Sequence, residues 1–369
     1  MSEFNTSDFI NPMMTQTWSN GRHEVHCVKV IAETHDVTTF TFGMSQPVLF
    51  FFKPGQFVTL ELEIEGERVM RSYTISSSPS IPYSFSITVK RVAGGKVSNW
   101  LHDNLKSGDQ IAVHGPVGQF NCMDFTSDKV LLLSGGVGIT PVMSMARWWF
   151  DTDSDVDMVF AHSARTPNDI IYPLELEYMT TRIENFKMHL ICEKTEVGQA
   201  WGGYRGYLDQ AMLGLIAPDF MAREVFCCGP EPYMKAVKKM LQDLGFNMAR
   251  YHEESFGATP VDDVALAEKH ADAAEVESLQ PKDSVQVSFI DAGKEALVTL
   301  GTNLNEAAKE AGVTISKACG VGICGACRVK VISGKFEMLQ NGGISDDEIA
   351  QGYVLSCCTS VTGNIQIDY

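Results

Sequence analysis

Ala318-Cys319-Gly320-Val321-Gly322-Ile323-Cys324-Gly325-Ala326-Cys327 is the stretch that decides the fold of the C-terminal region, and Cys357 follows it downstream. Three cysteines of this stretch have the spacing C-x4-C-x2-C, with glycines between and beside them. A loop that wraps a flat, anionic group must bring backbone amides close to it, and glycine permits the close approach and the positive φ values. The stretch therefore predicts a loop that holds such a group through thiolates.

The group that suits this spacing is a 2Fe–2S cluster bound by four thiolates. Structural zinc is the main alternative, although it usually takes two C-x2-C pairs or a mixture of cysteine and histidine. A Rieske centre is excluded here, because it needs two histidines and the last one, His270, precedes the loop. Cys358 leaves the fourth ligand ambiguous, and we expect it to be a buried thiol. The predicted ligands are Cys319, Cys324, Cys327 and Cys357.

Composition limits the classes of protein to consider. A chain of 369 residues, 44% hydrophobic and 20% charged, is an ordinary globular chain of two or three domains. Its net charge of -17 argues against nucleic acid or an anionic membrane surface as a partner. The sequence shows neither a signal peptide nor an apolar run of bilayer length, so we expect a soluble, cytoplasmic protein without membrane contact.

The order of strand and helix patterns predicts three domains. Six short alternating strands with one helix, at 22–124, indicate an antiparallel β-barrel. Apolar strands alternating with helices at 125–256 indicate an α/β domain with a parallel sheet. A segment rich in alanine and acidic residues, 257–280, is the predicted linker, and 281–369 reads as a small α+β domain that carries the cysteine loop.

A strand of the predicted barrel carries groups that suit a flavin. Arg71-Ser72-Tyr73-Thr74 offers a cation for phosphates, a ring for stacking and a hydroxyl for a hydrogen bond near N5. Gly95-Lys96-Val97-Ser98 precedes or opens a helix, with Ser98 or a neighbour as the expected N-cap, and a helix N-terminus suits a pyrophosphate. An ordinary strand and an ordinary capped helix are the structural alternatives.

Two glycine turns of the predicted α/β domain suit a dinucleotide. Ser134-Gly135-Gly136-Val137-Gly138-Ile139-Thr140-Pro141 follows an apolar strand and opens a helix, the context that a dinucleotide loop requires. Cys228-Gly229-Pro230 begins a second turn that ends near Met234, which would place Cys228 beside the nicotinamide. A structural thiol at a tight turn is the alternative for Cys228.

Taken in order, the patterns R-x-Y-T, G-x-x-S, G-x-G-x-x-P, C-G-P and E-E-S-F resemble the ferredoxin-NADP reductase superfamily, and the tail resembles plant-type ferredoxins with their β-grasp fold. Among its branches, the chain resembles reductase subunits of Rieske-type oxygenases that demethylate quaternary ammonium compounds. Hybrid-cluster-protein reductases share the domain order and are the nearest alternative.

This resemblance implies the cofactors FAD, NADH and a 2Fe–2S cluster, and it assigns roles to residues. Tyr73, Thr74, Cys228 and Phe256 would lie at the flavin and nicotinamide rings. The residues implied to hold FAD are Arg71, Ser72, Tyr73, Thr74, Lys90, Gly95, Lys96, Val97 and Ser98. The residues implied to hold the nicotinamide coenzyme are Gly135, Gly136, Gly138, Thr140, Arg165, Cys228, Gly229, Pro230 and Met234.

The expected function is an oxidoreductase that passes electrons from NADH through FAD and the cluster to a Rieske-type oxygenase subunit. A flavin between nicotinamide and cluster is required, because the first gives hydride and the second takes single electrons. Three alternatives remain open: a reductase for a hybrid-cluster protein, a stand-alone flavin reductase, and a non-enzymatic redox sensor or carrier. NADPH also remains open as the coenzyme, because Arg165 could meet a 2'-phosphate.

Overall fold

The computed structural model describes residues 16–18, 21–44, 48–195, 198–256, 284–313, 315, 322, 327–340, 344 and 346–369. Cys319, Cys324 and the predicted linker 257–280 lie outside these residues. Among the helices in the described ranges, none has the length and apolar character needed to cross a bilayer.

The N-terminal part is an antiparallel sheet of six strands with one helix and a small two-stranded addition. Its strands are β1 (Gln16–Thr17), β2 (Gly21–Ala32), β3 (Val37–Met44), β4 (Val48–Leu49), β5 (Phe57–Ile64), β6 (Glu67–Thr74), β7 (Ser84–Lys90) and β8 (Gln110–Val117), and its helix is α1 (Lys96–Asn104). The sheet order is β6-β5-β8-β2-β3-β7, while β1 pairs with β4. A bridge between Ile75 and Ile87 joins the two edges of the sheet. The antiparallel barrel is therefore confirmed.

Alternation along β3 and β7 explains the core of this barrel. Phe40, Phe42 and Phe85 are buried and face inward, each contributing about 1.5–3 kcal/mol of burial. The residues that alternate with them are hydroxyl-bearing and pair across the strands, as in the 2.8 Å contact between Thr41 Oγ1 and Ser86 Oγ. The period-2 pattern thus buries one face and leaves the other polar.

The middle part is a parallel sheet with helices on both faces. Its strands are β9 (Lys129–Gly135), β10 (Asp157–Ala164), β11 (Phe186–Cys192), β12 (Tyr204–Arg205), β13 (Glu224–Cys228) and β14 (Tyr251–Glu254). Its helices are α2 (Ile139–Asp151), α3 (Pro173–Arg182), α4 (Gln210–Ile216) and α5 (Glu231–Asp243). The strand order is β12-β11-β10-β9-β13-β14 and all pairs are parallel, which confirms the predicted α/β class.

One predicted boundary in this sheet was wrong. The apolar run 156–160 predicts a second strand that ends at Phe160, but β10 continues to Ala164. The polar residues His162 and Ser163 hid the extension, because the apolar run stops before them. The structure keeps His162 in the sheet by burying it fully and by a 2.9 Å hydrogen bond between its Nδ1 and Ser134 Oγ.

The C-terminal part is a five-stranded mixed sheet with a short helix across it. Its strands are β15 (Ser284–Phe289), β16 (Lys294–Thr299), β17 (Arg328–Met338), β18 (Tyr353–Leu355) and β19 (Thr359–Asp368), and its helices are α6 (Leu304–Glu310) and α7 (Asp346–Ala350). The order is β16-β15-β19-β17-β18, with β15 and β19 parallel. Leu304 and Ala307 of α6 pack on this sheet in one buried cluster. The predicted α+β class is confirmed.

Candidate functional site

The site begins at the point where the parallel sheet reverses its strand order. From β9 the chain adds β10, β11 and β12 on one side and then returns to place β13 on the other. The carboxyl ends of the neighbours β9 and β13 carry Gly135 and Cys228. In open α/β sheets, ligands bind in the crevice at such a switch point. The structure therefore brings the two predicted glycine turns together there.

The first turn offers backbone amides and space. Gly136 has φ +52, and among the described residues no heavy atom lies within 4 Å of where a Cβ would stand. Helix α2 follows at once, and its N-cap is Gly138, which has no side chain to satisfy the first amides. Thr140 is buried and donates its hydroxyl to the Val137 carbonyl at 3.1 Å. These features fit a pyrophosphate, which accepts hydrogen bonds from such amides.

The second turn packs tightly against the first. A Cβ on Gly138 would stand 2.4 Å from the Cys228 carbonyl oxygen, and one on Gly229 would stand 2.7 Å from Tyr233 Cδ1. Helix α5 begins after Pro230, which also lacks a capping side chain, and Met234 is buried in its first turn. Glycine is required at these positions because the two turns approach closely.

Cys228 is the last residue of β13, at this switch point. Its side chain is fully buried, and burial raises the pKa of the thiol well above its usual value. A protonated, enclosed thiol can contact a ring but is a poor nucleophile. The geometry therefore suits the predicted place beside a nicotinamide and does not suit covalent catalysis.

Glu254 joins the two sheets beside Cys228, and the predicted site residues did not include it. Glu254 stands opposite Cys228 in the β13–β14 register, and Thr74 Oγ1 donates to its Oε2 at 3.3 Å. Burial raises the pKa of Glu254 to about 8, whereas the hydrogen bond from Thr74 lowers it. A carboxyl group that holds a proton near neutral pH therefore lies beside the predicted flavin strand. The E-E-S-F pattern was the available signal.

The predicted flavin strand is β6. Thr74 is buried at its end, and Arg71, Ser72 and Tyr73 are half-buried. Ser72 Oγ lies 2.9 Å from Thr59 Oγ1, so this hydroxyl is engaged within the sheet. Side chains alternate along a strand, so Arg71 and Tyr73 share one face, as a cation and a ring for one ligand must.

The N-cap residue of helix α1 differs from the one predicted from the sequence. The N-cap of α1 is Gly95, and Lys96 and Val97 are its first residues. Ser98 lies inside the helix, is buried, and accepts a hydrogen bond from the Val92 amide at 3.2 Å. The expectation that Ser98 or a neighbour caps the helix is therefore wrong for Ser98. Because the N-cap Gly95 has no side chain of its own to bond to the first turn of α1, the helix start fits a phosphate group.

Three other predicted site residues lie apart from these turns and strands. Lys90 forms an ion pair with Asp36 at 3.0 Å. Arg165 is exposed directly after β10, at the carboxyl edge of the parallel sheet. Phe256 is 45% exposed and lies two residues beyond β14.

The two predicted cluster ligands within the described residues, Cys327 and Cys357, are linked by hydrogen bonds of one serine. Both are buried, and Ser356 donates its backbone amide and its hydroxyl to the Cys327 carbonyl, at 3.0 and 2.9 Å. Asn303 Nδ2 donates to the Cys357 carbonyl at 2.9 Å. Two thiols from separate segments therefore lie in one region, as thiolate ligation of iron requires.

The rest of the described loop agrees with the predicted glycine role. Gly322 has φ +74, and a Cβ there would stand 2.7 Å from Cys358 Sγ. Cys358 is half-buried, whereas a buried thiol was expected; its Sγ contacts the Leu355 carbonyl at 3.5 Å.

Three family models match successive parts of the chain. They are the oxidoreductase FAD-binding domain at residues 24–122, the oxidoreductase NAD-binding domain at 132–239, and the 2Fe-2S iron-sulfur cluster binding domain at 289–362. The chain is thus an oxidoreductase with domains for FAD, NAD and a 2Fe–2S cluster.

Curated relatives match nearly the whole chain. The glycine betaine monooxygenase reductase subunit of Pseudomonas aeruginosa is 63% identical over 99% of this chain and 100% of its own length. The stachydrine N-demethylase reductase subunit of Rhizobium meliloti is 39% identical over 95% and 97%, and the NADH oxidoreductase HCR of Escherichia coli is 32% identical over 93% and 96%.

A solved structure supports the fold of the first two domains. The FAD/NAD-binding domain of nitric oxide dioxygenase from Vibrio cholerae has a TM-score of 0.58 and 25% identity, and it covers 65% of this chain and 100% of its own. With the full-length relatives, this match shows that the chain belongs to the FAD- and NAD-binding oxidoreductases with a C-terminal 2Fe–2S domain, the family that includes the glycine betaine monooxygenase reductase subunits.

Proposed function

We propose that this chain is the reductase subunit of a monooxygenase that demethylates glycine betaine, with a Rieske-type oxygenase subunit as its electron acceptor. The observation that carries the proposal is the 63% identity to a reductase subunit of that enzyme over 99% of the chain, which includes all three cofactor domains. We further propose a cytoplasmic location, where reduced nicotinamide coenzymes are available.

In this proposal, residues on the barrel and the parallel sheet hold the two organic cofactors against each other. Arg71 binds flavin phosphate, Tyr73 and Thr74 contact the ring, and the start of α1 at Gly95 binds the pyrophosphate. When bound, FAD would supply the chemistry that joins a hydride donor to a one-electron acceptor. Glu254, which accepts a hydrogen bond from Thr74 and has a pKa raised to about 8, holds a proton beside the flavin strand near neutral pH.

The crevice at the switch point holds the coenzyme. Gly136 and Gly138 give their amides to the pyrophosphate, and Cys228 packs beside the nicotinamide. We propose NADH as the donor, in agreement with the NAD-binding family model. Arg165 is the residue that tests this choice, because an exposed guanidinium after β10 is in a position to pair with a 2'-phosphate.

Anaerobic titration with NADH and NADPH, followed by visible absorption and EPR, tests the cofactor sequence. We expect NADH to bleach the flavin and then the cluster. Production of formaldehyde from glycine betaine, after mixing with the oxygenase subunit, tests the partner. Absence of product with a reduced cluster would overturn the partner and leave the electron path intact.

Substitution of a predicted cluster ligand separates the reduction of the flavin from the transfer of electrons to the oxygenase. Cys357→Ser should abolish transfer to the oxygenase while NADH still reduces the flavin, and Cys358→Ser is the matched control that should keep the cluster. Retention of the cluster in Cys357→Ser with its loss in Cys358→Ser would show that the adjacent cysteine is the ligand.

A hybrid-cluster protein is the second candidate acceptor, favoured by the 32% identity to NADH oxidoreductase HCR over 93% of the chain. Rates of electron transfer from the reduced protein to each acceptor, measured in parallel, will distinguish the two candidates. We expect faster transfer to the oxygenase subunit.

A further inference from the structure

Helix α2 connects the nucleotide turn to the barrel. It begins directly after Gly136–Gly138, and two of its later residues reach the segment that follows Thr74 of the flavin strand. Ser144 Oγ donates to the Ser77 carbonyl at 2.6 Å, and Arg147 Nη1 donates to the Ser76 carbonyl. One rigid element therefore contacts both the coenzyme turn and the flavin strand's continuation.

The Arg147 guanidinium is fixed on its other sides as well. Its Nε and Nη2 donate to the two carboxylate oxygens of Glu175, at 2.7 and 2.6 Å. Its Cζ lies 4.5 Å from the centroid of the Tyr172 ring, and the side chain is only 17% exposed. A planar fork paired at two points and stacked on a ring has little freedom to shift.

Tyr172 links this cluster back to the barrel. It has φ 59, a left-handed conformation that is uncommon outside glycine and persists only where surrounding contacts fix it. Its hydroxyl bonds with Thr88 Oγ1 on β7, and Thr88 Oγ1 lies 3.0 Å from Ser76 Oγ. The residues therefore form a closed set of contacts around Ser76.

We propose that Arg147, held by Glu175 and Tyr172, is a positioning residue that sets the distance between the flavin strand and the coenzyme turn at Gly136–Gly138, and so the approach of the nicotinamide to the flavin. This inference rests on the proposed flavin and coenzyme sites. Hydride transfer requires reacting atoms about 3–3.5 Å apart, and a misplacement of about 1 Å can cost about 100-fold in rate. In this proposal Arg147 acts through the Ser76 carbonyl and through α2, rather than on the reacting atoms.

A purely structural role makes a different prediction. It would lower the stability of the protein but leave the reduction rate of each folded, flavin-loaded molecule unchanged. The test must therefore read the geometry of the bound rings as well as activity.

The test compares Arg147→Met, Arg147→Lys and Tyr172→Phe with the wild type. Arg182→Met is the matched control, because Arg182 is an exposed arginine over a tyrosine ring, Tyr178, at 5.4 Å in the same domain. The measurements are the limiting rate of flavin reduction by NADH in anaerobic stopped flow, and the long-wavelength charge-transfer absorbance when NAD⁺ binds the reduced protein.

We expect Arg147→Met to lower the limiting rate about 10–100-fold and to weaken the charge-transfer band. Arg147→Lys, which keeps the charge and one donor for the Ser76 carbonyl, should recover part of both, and Arg182→Met should match the wild type. If Arg147→Met does not fold, Arg147→Lys and Tyr172→Phe carry the test.

Wild-type rates and bands in the folded Arg147 and Tyr172 variants would overturn the positioning role, whatever their stability. Failure of NADH to reduce the wild-type flavin would overturn the proposed function instead.

Discussion

The two ends of the parallel sheet use polar groups in opposite ways. At the amino ends of the strands, the Arg223 side chain is 2% exposed, and it is paired with Asp157 at 3.0 Å and Asp219 at 2.7 Å. At the carboxyl ends, α2 and α5 begin at residues without capping side chains, and Gly136 borders open space. The charges at the first end are paired within the chain, whereas the starts of α2 and α5 at the second end have no capping side chain. The pairs of Arg223 therefore contribute to stability, and the two uncapped helix starts suit the binding of a phosphate group.

The largest expected effect is on stability at the amino end. Arg223→Met should lower the free energy of unfolding by about 3 kcal/mol, because it leaves Asp157 and Asp219 without their shared cation in a partly buried place. Urea unfolding measures this loss. Lys129→Met, which breaks an exposed pair with Asp219, should cost less than about 1 kcal/mol. A change in NAD⁺ affinity of folded Arg223→Met would contradict the division between the two ends.

The next effect is at the carboxyl end. Gly138→Ala should raise the KM for NADH about 10-fold and cost about 1–3 kcal/mol, because the new Cβ would stand 2.4 Å from the Cys228 carbonyl. Steady-state kinetics and urea unfolding measure both. Gly214→Ala in α4, where the described residues leave the Cβ position open, should instead stabilise by about 0.5–1 kcal/mol. An unchanged KM would remove the turn from the binding site.

The ionisation of Glu254 should make the stability of the carboxyl end of the parallel sheet depend on pH. The folded-state pKa of Glu254, about 8, exceeds the usual value of about 4.3. Its contribution to stability is therefore fully present below about pH 4.3 and declines as the pH rises to about 8. Glu254→Gln cannot ionise and should therefore gain stability relative to the wild type as the pH rises from 5 to 8. Unfolding curves at both pH values measure this gain. Parallel stability–pH curves for the two proteins would contradict it.

The smallest expected effect comes from the partner of Glu254. Thr74→Val keeps the side-chain shape but removes the 3.3 Å hydrogen bond, so it should cost about 0.5 kcal/mol and raise the pKa of Glu254 further. The midpoint of the stability–pH curve measures the pKa. A downward shift would show that the hydrogen bond does not favour the ionised carboxyl.

Local patterns carried most of the correct predictions. The turn at Gly135–Gly138 and the turn at Cys228 were predictable because strand, glycine and helix start are adjacent in sequence. The contact between Thr74 and Glu254 was not, since 180 residues separate them and only the folded sheets bring them together. The same holds for Arg147 and Ser76, which are 71 residues apart.

Two local rules failed for identifiable reasons. Serine is a favoured N-cap, but Ser98 is one turn too late, and its hydroxyl instead closes the turn at Val92. The end of β10 was misplaced because polar residues usually mark a strand's exit from the core, whereas His162 stays uncharged in the core. Burial lowers the pKa of His162 to about 4.

The serine between the cluster ligands has a consequence for assembly. Ser356 and Cys327 are 29 residues apart, and closing a chain loop of that length costs about 3 kcal/mol of entropy. Each hydrogen bond of Ser356 to the Cys327 carbonyl contributes about 0.5–1.5 kcal/mol, so the two together offset much of that cost. The segments that carry Cys327 and Cys357 are therefore stabilised against each other by contacts of the polypeptide itself.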